Sequence, residues 1–173
     1  VELKAVVSLQ PVQLLAAGEN FPAETIARIM GWGATAVDAD NQSINASTTL
    51  LTANQKVVSN ETCNVVYADS ITGTMVCAGG VSATDTTDTC QGDSGGPLSV
   101  AKGNSFVQVG LSSFGGTQTG PACGDTEAPG VYSSVSALSG FIKQHATDAT
   151  FTSLAETSAA PVISTSEHAQ YNG

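Results

Sequence analysis

The stretch from Asp88 to Leu98, Asp-Thr-Cys-Gln-Gly-Asp-Ser-Gly-Gly-Pro-Leu, limits the fold of this chain more than any other. Glycine at 92, 95 and 96 permits tight bending, and Gly95-Gly96-Pro97 is a poor start for a helix. Leu98 and Val100, which follow, read as a strand, so Ser94 stands on a turn that leads into a sheet. A serine hydroxyl becomes a nucleophile only when a base takes its proton and something stabilises the oxyanion it creates. Backbone N–H groups do the second job where the chain bends tightly enough to aim two of them at one point. The pattern G-x-S-x-G also marks hydrolases whose serine tops a strand-to-helix elbow. That fold needs a helix after the serine, and the residues after Ser94 do not supply one.

Thr89 to Leu98, TCQGDSGGPL, is similar to the nucleophile segment of the trypsin/chymotrypsin family of serine proteases, in its trypsin-like branch. The similarity continues through Gly31-Trp32-Gly33, Val58-Ser59-Asn60 with Cys63, Met75 to Gly79, Gly110 to Gly115, and Pro129 to Tyr132, in the family's order. It covers roughly residues 1–146. The resemblance implies an all-β fold: the second antiparallel β-barrel of a double-barrel protease, with a C-terminal α-helix. Residues 1–30 are then the last strand of the first barrel and the linker between barrels, and residues 31–147 the second barrel with its helix. Val1-Glu2-Leu3-Lys4 resembles the end of the strand that follows the catalytic aspartate.

The same resemblance assigns roles. Ser94 is the expected nucleophile, with the N–H groups of Gly92 and Ser94 as the oxyanion hole. Asp93 is expected to turn inward and pair with the amino group released by zymogen cleavage. Asp88 is expected at the floor of the primary specificity pocket, with Gly115 and Gly130 in its walls. Thr89, Gln91, Ser113 and Phe114 complete the expected substrate-binding set. An unpaired buried carboxylate is costly, so Asp88 calls for a cationic side chain, Lys or Arg, from the substrate. Asp85, Asp125 and Glu127 are expected near the pocket mouth, adding a negative field that steers basic peptides. The expected function is therefore a secreted trypsin-like endopeptidase working through an acyl-enzyme. The alternative is a non-catalytic homologue serving as a binding or regulatory module on the same fold.

The triad's histidine and aspartate belong to the first barrel in this family, and that barrel is expected outside the chain. The histidines present are His145 and His168, and His145 is expected to face solvent on the terminal helix. The chain alone is accordingly expected to be inactive. Expected partners are a peptide or protein substrate with a basic residue, the first barrel, and protein inhibitors; no cofactor and no metal are expected.

Composition narrows the partners independently. The 173 residues carry 5 Lys+Arg against 15 Asp+Glu, a net charge of −10, which disfavours nucleic acid and anionic membrane. No stretch approaches the roughly 20 apolar residues of a membrane helix. The four cysteines, at 63, 77, 90 and 123, include no C-x-x-C pair. An even count without metal spacing predicts two disulfides and an oxidising compartment. Three pairings are open from the residues alone; the resemblance implies Cys63–Cys77 and Cys90–Cys123. A further bridge common in the family would fall near Ala27 and Val100, and both of its cysteines are absent together.

Strands are predicted at Ile26 to Met30, Thr49 to Val58, Thr74 to Ala78, Pro97 to Ala101, Ser105 to Phe114 and Gly130 to Val135, with turn residues between them. Residues 34–47, rich in Asp, Asn and Ser, read as a surface loop, and Asn60 to Tyr67 as a short helix capped by Asn60. Val135, Leu138, Phe141 and Ile142 have helical spacing, with serine as the N-cap. From residue 148 to 173, few large apolar residues interrupt Ala, Ser, Thr and Glu, which predicts a disordered tail.

Overall fold

Period-two burial runs through the centre of this chain. In the segment Leu51–Val58 the residues Ala53, Gln55 and Val57 are buried while their neighbours are partly open. That alternation is what one face of a sheet demands. The computed structural model describes residues 8–38, 40–117 and 120–154. Its elements in chain order are β1 (Gln13–Leu15), β2 (Ile26–Gly31), β3 (Ala34–Val37), β4 (Ser43–Ala46), β5 (Leu51–Val58), α1 (Asn60–Val66), β6 (Met75–Gly79), β7 (Pro97–Lys102), β8 (Ser105–Phe114), β9 (Gly130–Ser134), α2 (Ser139–His145) and β10 (Phe151–Thr152).

The strands β8, β7, β2, β5, β6 and β9 pair in that order, all antiparallel, and β8 pairs again with β9. The sheet therefore closes on itself as a six-stranded antiparallel barrel, the fold class that the resemblance implied. Closure removes the free edges that an open sheet would present. Its interior holds Ala27, Ile29, Val57, Leu98, Val100, Val107, Val109 and Tyr132, all buried. Two disulfides form, Cys63–Cys77 and Cys90–Cys123. The first ties α1 to β6. The second ties the approach to the Ser94 turn to the loop before β9.

Several expectations need correction. Residues 34–47 are not a plain loop, because β3 and β4 pair as a hairpin. Its polar residues make the turn: Asp38 Oδ1 accepts the N–H groups of Asp40 at 3.0 Å and Gln42 at 2.9 Å, with Asn41 at φ 60°. Polar side chains that fold back on their own backbone look like a loop in composition and act as a turn in structure. The cap of α1 is Ser59, whose hydroxyl accepts the Thr62 N–H at 3.1 Å. Asn60 instead donates to the Thr72 and Met75 carbonyls, holding α1 against the segment that enters β6. The terminal helix starts after Leu138 with no side-chain cap, so the predicted serine cap is absent.

The boundaries shift at both ends. The barrel begins with β2 at Ile26, before residue 31, and Leu15 of β1 is fully buried in the barrel's core. The predicted strand-like start at Val1 to Lys4 lies outside the described residues. The tail does not begin at 148. After α2 the chain returns, β10 pairs in parallel with β1, and Leu154 enters the core. Lys102 Nζ donates to Thr152 Oγ1 at 2.7 Å and to the Ser153 carbonyl at 2.6 Å, and Lys143 lies over the Phe151 ring. Two apolar residues, Phe151 and Leu154, suffice because β1 offers an edge to pair with. Residues 155–173 lie outside the described part. Among the described residues no helix is long and apolar enough to cross a membrane.

Candidate active site

Ser94 is exposed on the turn between the Cys90 disulfide and β7. Gly92 and Gly95 take φ values of 99° and 77°, a region that side chains other than glycine's enter at a cost, so the glycines around Ser94 are what allow the bend. The turn is fastened on three sides. Asp93 N–H donates to the Cys90 carbonyl, Gly96 N–H to the Asp93 carbonyl, and Gly95 N–H to the Ser112 carbonyl at 2.8 Å. Ser112 N–H returns a bond to the Gly96 carbonyl at 2.9 Å. Among the described residues, neither the Gly92 nor the Ser94 N–H donates a hydrogen bond within the protein. Both predicted oxyanion-hole donors are thus unspent, beside an exposed hydroxyl.

A carboxylate next to those donors would oppose any anion forming there. The Asp93 carboxylate is instead turned into the protein, where Oδ1 accepts the Gly33 N–H at 2.8 Å and Oδ2 the Cys90 N–H at 3.0 Å. The seat depends on the Gly31-Trp32-Gly33 motif. A Cβ on Gly31 would fall on the Asp93 carboxylate, and one on Gly33 would come within 2.5 Å of its Cγ. Asp93, Gly31 and Gly33 also line a pocket with Ile29, Thr52 and Asp88 on its walls.

Asp88 is partly buried, with Oδ1 accepting the Thr89 N–H at 2.8 Å and Oδ2 the Gly124 N–H at 3.1 Å. No ion pair reaches it among the described residues. Burial pushes its carboxyl up to about 6; the Gly124 and Thr89 N–H groups pull the other way, and the charges of Asp93 and Asp125 push it further up. Gly130 stands against it: a Cβ there would lie 3.0 Å from Asp88 Oδ1. Gly115 faces Gly130 in turn, its Cβ position being 3.4 Å from the Gly130 Cα. The predicted floor and both predicted walls therefore meet.

Ser113, Phe114 and Gly115 are exposed at the end of β8, where the register with β9 shifts between Ser112 and Phe114. Gln91 is exposed, and its carbonyl takes the Ala34 N–H. Thr89 is partly buried and accepts from the Ser112 hydroxyl at 3.1 Å. Ser112 thus links the Ser94 turn to the Asp88 pocket, a role hidden in sequence because nothing marks one serine of Ser112-Ser113 over the other. Tyr67 is a second unforeseen contributor. Its hydroxyl donates to the Pro129 carbonyl at 2.8 Å and its ring meets Phe114 edge-on, so it touches the residue before each glycine wall. Burial, then the charges of Asp88 and Asp125, push its hydroxyl up to about 12, and it stays protonated as a donor.

Asp85 and Asp125 are not simply free surface charge. Asp85 accepts the N–H groups of Val81 and Thr87 and the Thr87 hydroxyl; Asp125 accepts the Glu127 N–H. His145 is exposed on α2 against the Phe141 ring. Among the described residues no group of His, Cys, Asp and Glu could hold a metal ion.

Comparison with known proteins agrees with this geometry. The family model described as Trypsin matches residues 2–142. Kallikrein-12 of Homo sapiens is 44% identical over 126 residues, covering 72% of this chain and 44% of the relative. A trypsin of Phaedon cochleariae is 37% identical over 139 residues, covering 79% of this chain and 48% of its own. Among solved structures, neuropsin, a serine protease expressed in the limbic system of mouse brain, superposes with a TM-score of 0.65 at 36% identity, over 79% of this chain and 54% of that one. The chain spans about half the length of the curated relatives it matches. With the closed barrel, both disulfides and the Ser94 turn in place, the chain belongs to the trypsin family of serine proteases.

Proposed function

We propose that this chain carries the nucleophile and the primary specificity pocket of a secreted trypsin-like endopeptidase that cleaves peptide bonds after Lys or Arg. Ser94 Oγ attacks the substrate carbonyl while its proton passes to a histidine supplied from outside these residues. The N–H groups of Gly92 and Ser94 hold the oxyanion. The proton then goes to the leaving amine, and water releases the acyl group from Ser94. The carrying observation is the pair of unspent N–H groups beside the exposed Ser94, with the Asp93 carboxylate turned away from them. Asp93 is also the group that would pair with an amino terminus released by cleavage of a precursor.

Selectivity for a basic residue is supported by Asp88, a partly buried carboxyl flanked by Gly130, with no ion pair among the described residues. A substrate ammonium or guanidinium would supply the opposite charge. Two disulfides and the secreted habit of such enzymes support an extracellular site of action. Protein inhibitors that present a basic residue to the pocket would be natural partners.

Alone, these 173 residues are expected to lack hydrolysis at an enzymatic rate. The sequence holds no histidine ahead of Ser94, and a general base typically contributes about 10²–10⁴ in rate. The experiment uses a fluorophosphonate probe and an arginyl ester on this chain, and on a form joined to the upstream half found in its relatives. Labelling of Ser94 at equal rates in both would overturn the need for an outside base. In the joined form, Asp88→Ser should depress cleavage after Lys and Arg far more than after Phe or Leu. Equal loss on all substrates would show that Asp88 supports folding alone, and no turnover in any form would favour a binding module.

A further inference from the structure

We propose that Gln55 is a positioning residue for the primary pocket: its side-chain amide, fixed in the barrel wall, sets where the Asp88 carboxyl stands. The inference rests on Asp88 being the floor of a cation-binding pocket. Gln55 is fully buried on β5, between the core residues Ala53 and Val57. Its Nε2 donates to the Thr87 carbonyl at 2.5 Å, across 32 residues of chain. A carbonyl can only accept, so the amide's orientation follows from this bond. Thr87 is itself buried and directly precedes Asp88.

The loop that carries Asp88 is tied internally by Asp85, which accepts from Val81 and Thr87. Those bonds shape the loop but do not anchor it to the barrel. Gln55 does so from one side, and Gly124 N–H holds the Asp88 carboxyl from the other. A hydrocarbon at position 55 would leave the Thr87 carbonyl without this donor. A glutamate would set an acceptor against an acceptor, and a lysine would bring a cation toward a pocket that must remain anionic.

Gln55 Oε1 has no hydrogen-bond partner in the protein among the described residues. An amide with one end unpartnered is a poor choice for filling a core. Its presence is explained by the carbonyl it holds.

The probe is benzamidine, with uncharged benzamide as its isostere, titrated against this chain and its variants. Gln55→Leu should weaken benzamidine by about tenfold, through loss of preorganisation, and leave benzamide almost unmoved. The midpoint of the pH dependence of benzamidine binding should fall, because a loosened Asp88 gains water. The unfolding midpoint should change little, since loss of the unpartnered Oε1 offsets the Thr87 carbonyl left without its donor. Wild-type affinity and pH midpoint in Gln55→Leu would overturn the proposal. So would a loss of affinity matched by benzamide and by stability, which marks a merely structural residue. Should that variant fail to fold, the wild-type chain decides: the Gln55 side-chain NH₂ should be protected from exchange and shift on benzamidine binding, and an unprotected, unmoved signal overturns the idea. Failure of the underlying pocket looks different. In that case the wild type does not bind benzamidine, or Asp88→Ser binds it equally well.

Discussion

Asp88 concentrates what single residues do in this molecule. Its carboxyl is raised from the ordinary 3.8 to about 6, burial being the largest cause. A raised acid holds its proton more tightly in the folded state than in the unfolded one. Its contribution to stability is therefore greatest where it is protonated, declines as pH rises from about 4 through about 6, and is level above. Ligand binding should run the other way. A cationic ligand needs the ionised form, so benzamidine affinity should drop as pH falls through about 6, by up to about tenfold per unit. Titration of binding between pH 4.5 and 8 tests this, with Asp88→Asn as the control that should flatten the profile. A midpoint near the ordinary carboxylate value would mean that Asp88 is solvated. Ser94, Asp93 and Asp88 could be singled out as candidates because they share one contiguous segment, 88–98, that carries the family resemblance. Gln55 and Ser112 could not, because their roles depend on partners 32 and 23 positions away.

Elements were legible where they bury one face. β8 was read from Ser105 to Phe114, the bounds it has, because Val107 and Val109 alternate with more open residues. The hairpin β3–β4 and the strand β10 were missed for a shared reason: each takes its stability from a partner that composition does not show. β10 is two residues long and could not persist alone. It is held by β1 through backbone pairing, by Lys102 through Thr152 and Ser153, and by burial of Leu154. Leu154→Ala should therefore destabilise the chain by about 2–3 kcal/mol, the usual cost of truncating a buried leucine. Chemical denaturation of the two forms measures the difference. A change within about 0.5 kcal/mol, as for a surface site, would mean that the segment after α2 does not dock.

At the scale of the molecule, neither disulfide crosses the seam between β2 and β7, which is held by backbone pairing and packing. Cys63–Cys77 and Cys90–Cys123 close spans of 14 and 33 residues. β2 and β7, neighbours in the barrel, lie far apart in sequence, and Ala27 stands directly opposite Val100 in their ladder. Both are buried in the core, so their side chains point to the same face. Directly opposed residues of an antiparallel pair have Cα atoms about 4.5–5.5 Å apart, within the range a disulfide spans. The double substitution Ala27→Cys, Val100→Cys should therefore form a bridge under oxidising conditions. In the loop-entropy model, closing so long a span stabilises by about 4 kcal/mol, against which stands the lost packing of the valine. The net expectation is a higher denaturation midpoint that returns to or below the parent value when this bridge is reduced. Thiol titration of the folded variant, followed by peptide mapping without reductant, decides the matter. Two free thiols in an otherwise native barrel would show that β2 and β7 do not pair in this register, and the seat that β2 and Gly33 give to Asp93 would then need redrawing.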